Sequence, residues 1–276
     1  MRALNEQTIL VTGATDGLGR YLAERLAADG ARVVVHGRDP GRVAATAARI
    51  RAGAPDAKLE TVLADLAELR QVDRLAAEVR ERFDRLDVLV NNAGVGFGRP
   101  EDGRRESADG IELRFAVNYL AGHRLSRLLV PLLVASAPAR VVNVASMGQY
   151  PVDFDDPMLT GGYDGVTAYR RAKLAQVMDT IDLAEELKGT GVTANALHPA
   201  TFMDTTMVNE VGIEPVSTLE EGGTATLRLI TDPSLDDVTG RFFDRERPAR
   251  PNAQAEDPAA RRRLRALAEE LLTRAA

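Results

Sequence analysis

The stretch "TILVTGATDGLG", residues 8–19, decides the fold. An apolar run from Thr8 leads into glycines at 13, 17 and 19, and a helical pattern over about 19–29 follows. A strand that turns through glycines into a helix is where an open α/β sheet receives a dinucleotide. The backbone there can approach a pyrophosphate, and the helix N-terminus offers N–H groups and the positive end of its dipole. The spacing is GxxxGxG and not GxGxxG, so the general fingerprint is met in context and not letter by letter. A tight βα turn without a ligand would carry the same glycines, and this stretch alone leaves both readings open.

Outward from the turn, short β-rich runs alternate with longer helical patterns. Strands are predicted at 8–13, 32–37, 59–64, 86–93, 140–146, 192–199 and 240–244. Helices are predicted at about 19–29, 41–51, 68–83, 111–136, 166–188, 218–231 and 258–274. Several strands are nearly continuous apolar runs, as expected when both faces are buried. Such a βαβ series implies a parallel sheet covered by helices on both faces. Asp39-Pro40 reads as an N-cap followed by proline at the first helical position. "DLAE" (65–68) and "STLE" (217–220) have capping-box spacing. "KGTG" (188–191) reads as a helix stop. No repeat or long linker divides the chain, so one domain over 1–276 is expected. The least regular stretches, 147–165 and 200–216, are candidate functional loops.

Composition narrows the function classes. Hydrophobic residues make up 45% and charged residues 28% of the 276, an ordinary soluble composition. The net charge of −6 argues against a nucleic-acid partner. The chain has no cysteine, which removes disulfides, thiol chemistry and cysteine-ligated zinc. His36, His123 and His198 are far apart in sequence, and no metal site is expected. The N-terminus enters a strand pattern at once, and no apolar run approaches the roughly 18 residues of a spanning helix. The expectation is a cytoplasmic protein without a membrane anchor.

"TAYRRAK" (167–173) places Tyr169 and Lys173 four positions apart, on one face of a predicted helix. A free phenol has a pKa near 10, too high to serve well as a base near neutrality. A nearby ammonium favours the phenolate. Taken alone, such a pair is more often an ordinary surface contact.

Together, "TGATDGLG", "NNAG" (91–94), "YRRAK" (169–173), Ser146 and the Asn118 of "VNYLAG" resemble the short-chain dehydrogenase/reductase family over about residues 5–245. The resemblance implies a single doubly wound Rossmann-type domain with a seven-stranded parallel sheet and helices on both faces. It implies nicotinamide-dependent oxidation or reduction. Tyr169 would be the general acid/base, and Lys173 would lower its pKa and bind the nicotinamide ribose. Ser146 would hydrogen-bond the substrate oxygen, and Asn118 would hold a water that links Lys173 to solvent.

The implied cofactor residues are Gly13, Thr15, Asp16, Gly17, Leu18 and Gly19 in the turn and Arg38 after the second strand. Asp65 and Leu66 follow the third strand, and Asn91, Ala93 and Gly94 the fourth. Tyr169, Lys173, Pro199, Thr201 and Thr205 complete the set, although Ala200 replaces the glycine usual in this family. In "VVVHGRDP" (33–40), Gly37 stands where NAD-preferring members carry an acid, and Arg38 follows. NADP(H) is therefore expected over NAD(H). Asp39 could be argued as the ribose acid but reads as the cap of the next helix, and Asp16 inside the turn speaks against a 2′-phosphate.

Ser146 and Tyr169 are 23 residues apart, longer than in many members. With "ELKGTGVTANALHPAT" (186–201) and the tail, this resembles the retinol-dehydrogenase-like branch. An apolar aldehyde, ketone or alcohol is the implied substrate. Its contacts are expected from 94–100, 147–163 and 202–216, with Phe97, Met147, Tyr150, Phe154, Tyr163, Phe202 and Met203 as wall candidates, although packing explains them as well. The resemblance also implies a homodimer or homotetramer through the helices at 111–136 and 166–188. Two alternatives stand beside the reductase: a nucleotide-binding regulator without catalysis, and a relative acting on a C=C bond or as an epimerase or dehydratase.

Overall fold

In the computed structural model, which describes residues 1–99 and 101–275, the first strand, β1 (Thr8–Val11), sends Ile9 and Val11 into one layer and Leu10 into the other. This is the two-residue period of a strand buried on both faces. The same split continues through β2 (Arg32–Gly37), where Val33 and Val35 join one layer and Val34 the opposite one. The sheet goes on with β3 (Leu59–Leu63), β4 (Val88–Asn91), β5 (Ala139–Val144), β6 (Val192–His198) and β7 (Phe242–Asp244). The order is β3-β2-β1-β4-β5-β6-β7, all parallel, and a short β8 (Arg247–Ala249) pairs antiparallel with β7. The sheet thus has eight strands and not the expected seven. The addition is a three-residue edge hairpin turned at Arg245, whose φ is +54°, and so short a segment carries no period to read.

Helices cover both faces. On one side α1 (Gly17–Ala28) and α2 (Pro40–Gly53) pack through Leu18, Leu22, Leu26, Val43 and Ile50. On the other, α3 (Leu69–Arg82) contributes Leu75 and Val79. The predicted helix over 111–136 is composite. A turn of α-helix, α4 (Leu113–Phe115), runs into a π-helical turn over Ala116–Leu120 and then α5 (Ala121–Ala135). Such turns recur at functional sites, and this one contains Asn118. The long α6 (Gly165–Glu186) follows, then α7 (Thr206–Asn209), α8 (Leu219–Thr231), α9 (Ala253–Glu256) and α10 (Pro258–Arg274). No helix among the described residues is long and apolar enough to cross a membrane.

The capping signals held in part. Asp39 Oδ1 accepts from the Arg42 N–H at 2.8 Å with Pro40 opening α2, as expected. The second box sits one residue later than predicted, as Thr218 with Glu221. "DLAE" does not cap a helix: Asp65 Oδ1 accepts from Ala67 N in a turn of its own, α3 starts at Leu69, and Asp109 Oδ2 takes the Leu69 N–H at 2.9 Å. A cap supplied from 40 residues away leaves no local pattern.

α10 lies along α6. Leu264, Ala268 and Leu271 enter one cluster with Leu174, Val177 and Met178 of α6. The buried Arg261 donates from Nε to Asp182 Oδ1 at 2.6 Å and from Nη2 to Glu185 Oε1 at 2.8 Å, and Arg265 reaches Asp182 Oδ2 at 2.9 Å. The chain's own C-terminal helix therefore covers a face of α6.

A tight constraint lies where β1 and β4 end. A Cβ on Gly19 would stand 2.2 Å from the Gly13 carbonyl oxygen and 2.4 Å from Asn92 Nδ2. Gly19→Ala should therefore force the turn apart. The expected outcome is a lower melting temperature by calorimetry together with lost nucleotide binding by isothermal titration.

Candidate active site

The β4 end reads Asn91, Asn92, Ala93, Gly94, and each residue does separate work. The Thr12 hydroxyl donates to Val90 O at 3.1 Å and accepts from the N–H groups of Asn92 and Ala93 at 3.0 and 3.1 Å. Asn92 Nδ2 donates to the carbonyls of Thr12 and Gly13 at 2.9 and 3.2 Å. Asn91, expected near the cofactor, is buried and donates instead to Ser126 Oγ and Asn143 Oδ1 at 2.9 and 2.8 Å. Thr12 and Asn92 were missed by the sequence reading, which weighed glycines and the first asparagine. His36 was missed too. It is buried, its Nδ1 accepts from Gly13 N at 3.1 Å, and its Nε2 faces Ala64 O at 3.1 Å. Burial lowers its pKa to about 4, so the ring stays neutral and Nδ1 stays an acceptor.

The glycine turn fits a phosphate-bearing cofactor. Gly13 and Gly17 have φ of +64° and +46°. The side chain of Asp16 takes the Gly17 N–H at 2.8 Å, while those of Leu18 and Gly19 meet no acceptor among the described residues. Unpaired N–H groups in a first helical turn are what an anion needs. Thr205 folds over this turn: a Cβ on Gly17 would meet Thr205 Cγ2 at 3.1 Å. Asp16 also pairs with Arg42 Nη2 at 2.9 Å. Burial pushes its pKa up, but hydrogen bonds from Thr206, Gly17 and Arg42 outweigh that and hold it below the usual range.

Beyond β2, a Cβ on Gly37 would press on Thr15 Cγ2 at 2.6 Å and Val43 Cγ2 at 2.7 Å. Arg38 follows it, exposed, with no ion-pair partner among the described residues. Asp39 is committed to its cap. Asp65 stands partly buried at the end of β3, and Leu66 is buried behind it. Pro199 and Ala200 are buried after β6, while Thr201 is exposed with its hydroxyl 3.0 Å from His198 Nε2.

Ser146 follows β5, and its Oγ accepts from Gly148 N at 3.0 Å. Tyr169 and Lys173 lie one turn apart on α6, held by the Asp164 cap. The Ser146 side chain lies beside the Tyr169 phenol. Burial raises the Tyr169 pKa, and the Ser146 side chain offsets part of the rise. The expected lowering by Lys173 is not present in this arrangement. Lys173 Nζ stands 5.9 Å from the Tyr169 ring centroid and donates to Val144 O at 2.6 Å and Gln176 Oε1 at 3.2 Å. Burial lowers the Lys173 pKa to about 8. The Asn118 side chain holds Val95, accepting from its N–H at 2.7 Å and donating to its carbonyl at 2.9 Å. A Cβ on Gly94 would lie 3.3 Å from Asn118 Oδ1 and 3.8 Å from Lys173 Nζ, which shows how closely the three converge.

Two expected wall residues also meet the site. Phe97 packs edge-on to Tyr169 with centroids 6.0 Å apart. The buried Arg114 donates to the carbonyls of Gly96 and Phe97 at 2.8 and 2.7 Å and to the Tyr163 hydroxyl, fixing that loop. Phe154 packs toward the C-terminal helix, under Arg263, and Met203 against Gly222. Pro100, the last residue of the expected 94–100 wall, lies outside the described residues.

Known proteins agree with this arrangement. The short chain dehydrogenase family model matches residues 7–215. Human retinol dehydrogenase 13 is 34% identical over 276 aligned residues, covering 94% of this chain and 82% of that protein. Mouse retinol dehydrogenase 14 is 36% identical, covering 87% and 78%. A short chain dehydrogenase from Escherichia coli CFT073 solved with NADPH superposes with a TM-score of 0.73 at 26% identity, covering 88% of this chain and 98% of that one. A nicotinamide-binding oxidoreductase site is thus supported by the geometry and by the relatives alike, and the chain belongs to the short chain dehydrogenase family, among its retinol-dehydrogenase-like members.

Proposed function

We propose that the chain is an NADP(H)-dependent oxidoreductase that interconverts an apolar aldehyde or ketone and its alcohol. The observation that carries this reading is the Ser146 side chain beside the Tyr169 phenol, with the buried Lys173 one helical turn away. When bound, the nicotinamide supplies or accepts the hydride. Tyr169, held neutral by burial, donates the proton to the carbonyl oxygen during reduction and takes it back during oxidation. Ser146 positions that oxygen. Lys173 supplies positive charge beside the phenol and a donor for the nicotinamide ribose.

The choice of NADP(H) rests on charge and space beyond β2. Arg38 is free to meet a 2′-phosphate. Arg42 neutralises Asp16, which answers the objection that this carboxylate would repel one. An acid at Gly37 would collide with Thr15 and Val43. The apolar substrate rests on the mouth. Of the large apolar side chains left exposed, Met147, Tyr150, Phe202, Met207 and Val216 all belong to the two candidate loops. Exposed apolar surface gathered at a site marks what the site binds. Tyr169 with Ser146 and Lys173 favours this enzyme over a nucleotide-binding regulator, and the same set serves the C=C alternative less directly. We also read the α10 cover as replacing self-association through α6.

Tyr169→Phe should reduce NADPH turnover with an apolar aldehyde by at least about a hundredfold and leave the NADPH Kd unchanged. Wild-type reduction should hold level up to about pH 8 and decline above it, as Lys173 loses its charge and then Tyr169 its proton. Alcohol oxidation should rise over the same interval, and steady-state pH profiles of kcat/KM in both directions check this. Arg38→Leu should weaken NADPH about tenfold or more relative to NADH, measured as the ratio of the two KM values. Light scattering should return the monomer mass of 29.8 kDa, whereas a mass of twice that value through α6 would contradict the cover.

A further inference from the structure

The segment after β8 touches the site through two glutamines. Asn252 caps α9 by accepting from Gln254 N at 3.0 Å, and its own N–H donates to Gln149 Oε1 at 2.8 Å. Gln149 Nε2 donates in turn to the carbonyl of Ser146 at 2.8 Å. Gln254 holds both backbone groups of Val152: its Oε1 accepts from the N–H at 2.6 Å, and its Nε2 donates to the carbonyl at 2.9 Å. The loop that carries Ser146 into the substrate wall is thus paired to a three-residue turn far away in sequence. That turn is itself fixed to α6. Ala255 is fully buried, its carbonyl accepts from Arg261 Nη1 at 3.1 Å, and Arg261 is bound to Asp182 and Glu185. α6 carries Tyr169 and Lys173. The two halves of the reacting group, Ser146 on its loop and Tyr169 on its helix, are therefore tied to one C-terminal unit.

We propose that Gln149 and Gln254 are positioning residues: Gln149 relays the hold of the C-terminal turn to the Ser146 carbonyl, Gln254 pins Val152 of the same loop, and together they set the place of Ser146 and of the substrate wall relative to Tyr169. This rests on the proposed carbonyl reduction. Neither side chain lies among the groups given the proton or the cofactor, and both act through backbone. Each amide uses one donor and one acceptor at once, which a carboxylate or an aliphatic side chain of the same size cannot do. Loss of either leaves backbone groups of the loop without partners, and the loop then samples other positions.

The test compares wild type with Gln254→Leu, Gln149→Leu and the conservative Gln254→Glu. The probe is NADPH-dependent reduction of an apolar aldehyde, with amide exchange followed by mass spectrometry or NMR. Both leucine variants should lower kcat/KM about tenfold, chiefly through KM, with the NADPH Kd within about twofold of wild type. Gln254→Glu keeps the acceptor for Val152 N and should recover part of the loss. In Gln254→Leu, exchange should quicken not only at Val152 but also at Gly148, whose N–H bonds Ser146 Oγ. The proposal is overturned if kcat/KM stays within about twofold of wild type and Gly148 exchange does not change, even where Val152 alone exchanges faster. If Gln254→Leu fails to fold, Gln149→Leu and Gln254→Glu decide the matter by the same readouts. If the wild type reduces no carbonyl, the functional reading fails, and Gly148 exchange alone still decides for or against the relay.

Discussion

Everything at the site depends on how closely β1 and β4 end side by side. At this point the two connections leave toward opposite faces of the sheet, and a crevice opens between them. Thr12 stands in the gap with its hydroxyl used both ways, and Asn92 closes over the carbonyls of Thr12 and Gly13. The contact is too close for side chains: a Cβ on Gly13 would sit 2.8 Å from Ala93 Cα. His36 adds a third hold from β2, onto the Gly13 N–H. All these partners are neutral. This bracing adds no charge to the turn, and the carboxylate the turn does carry, Asp16, is paired with Arg42.

Charge is distributed on the same logic. Structural charges are paired: Arg261 with Asp182, and Asp179 with His123 and Arg127. Burial would raise the Asp179 pKa, but His123 and Arg127 beside it hold it at about 2. Lys173 is different. It is buried, yet its ammonium donates to a carbonyl and an amide, and it has no hydrogen-bonded carboxylate among the described residues. Burial lowers its pKa to about 8, with no such partner to offset the shift. The cofactor end follows the same pattern, with Arg42 bound to Asp16 and Arg38 left open.

The fold was legible because its signals are local and repeated. Seven strands alternate with helices, and glycines mark the turn that must be tight. The candidate reacting residues could be placed because Tyr169 and Lys173 share one helix face and Ser146 follows a strand. What was hidden depends on partners far apart in sequence. Asn92 matters through Thr12, 80 positions away, and His36 through Gly13 on a neighbouring strand. Arg114 reads as one more helix cation, yet it is buried and braces Phe97 against Tyr169. The "DLAE" box failed for the same reason, since α3 begins only at Leu69, whose N–H is taken by the distant Asp109. β8 was too short to show a period.

The cover of α6 shows the same limit from the other side. α6 is buried over much of its circumference, from Ala168 to Ala184, so its sequence reads as apolar nearly all round. Such a helix needs cover on its outer face, but the pattern does not say whether a second copy or the same chain supplies it. The buried Asp182 is met by the same chain. It faces outward among apolar side chains and requires a cation. A second α6 would bring its own Asp179, Asp182, Glu185 and Glu186, whereas α10 brings Arg261 and Arg265 on one stripe with Leu264, Ala268 and Leu271. The stripe matches the apolar surface and its arginines match the charge, so one helix satisfies both demands. That same attachment delivers the turn bearing Asn252 and Gln254 to the loop after Ser146. The cover of α6 and the shape of the active site are therefore consequences of one docking event.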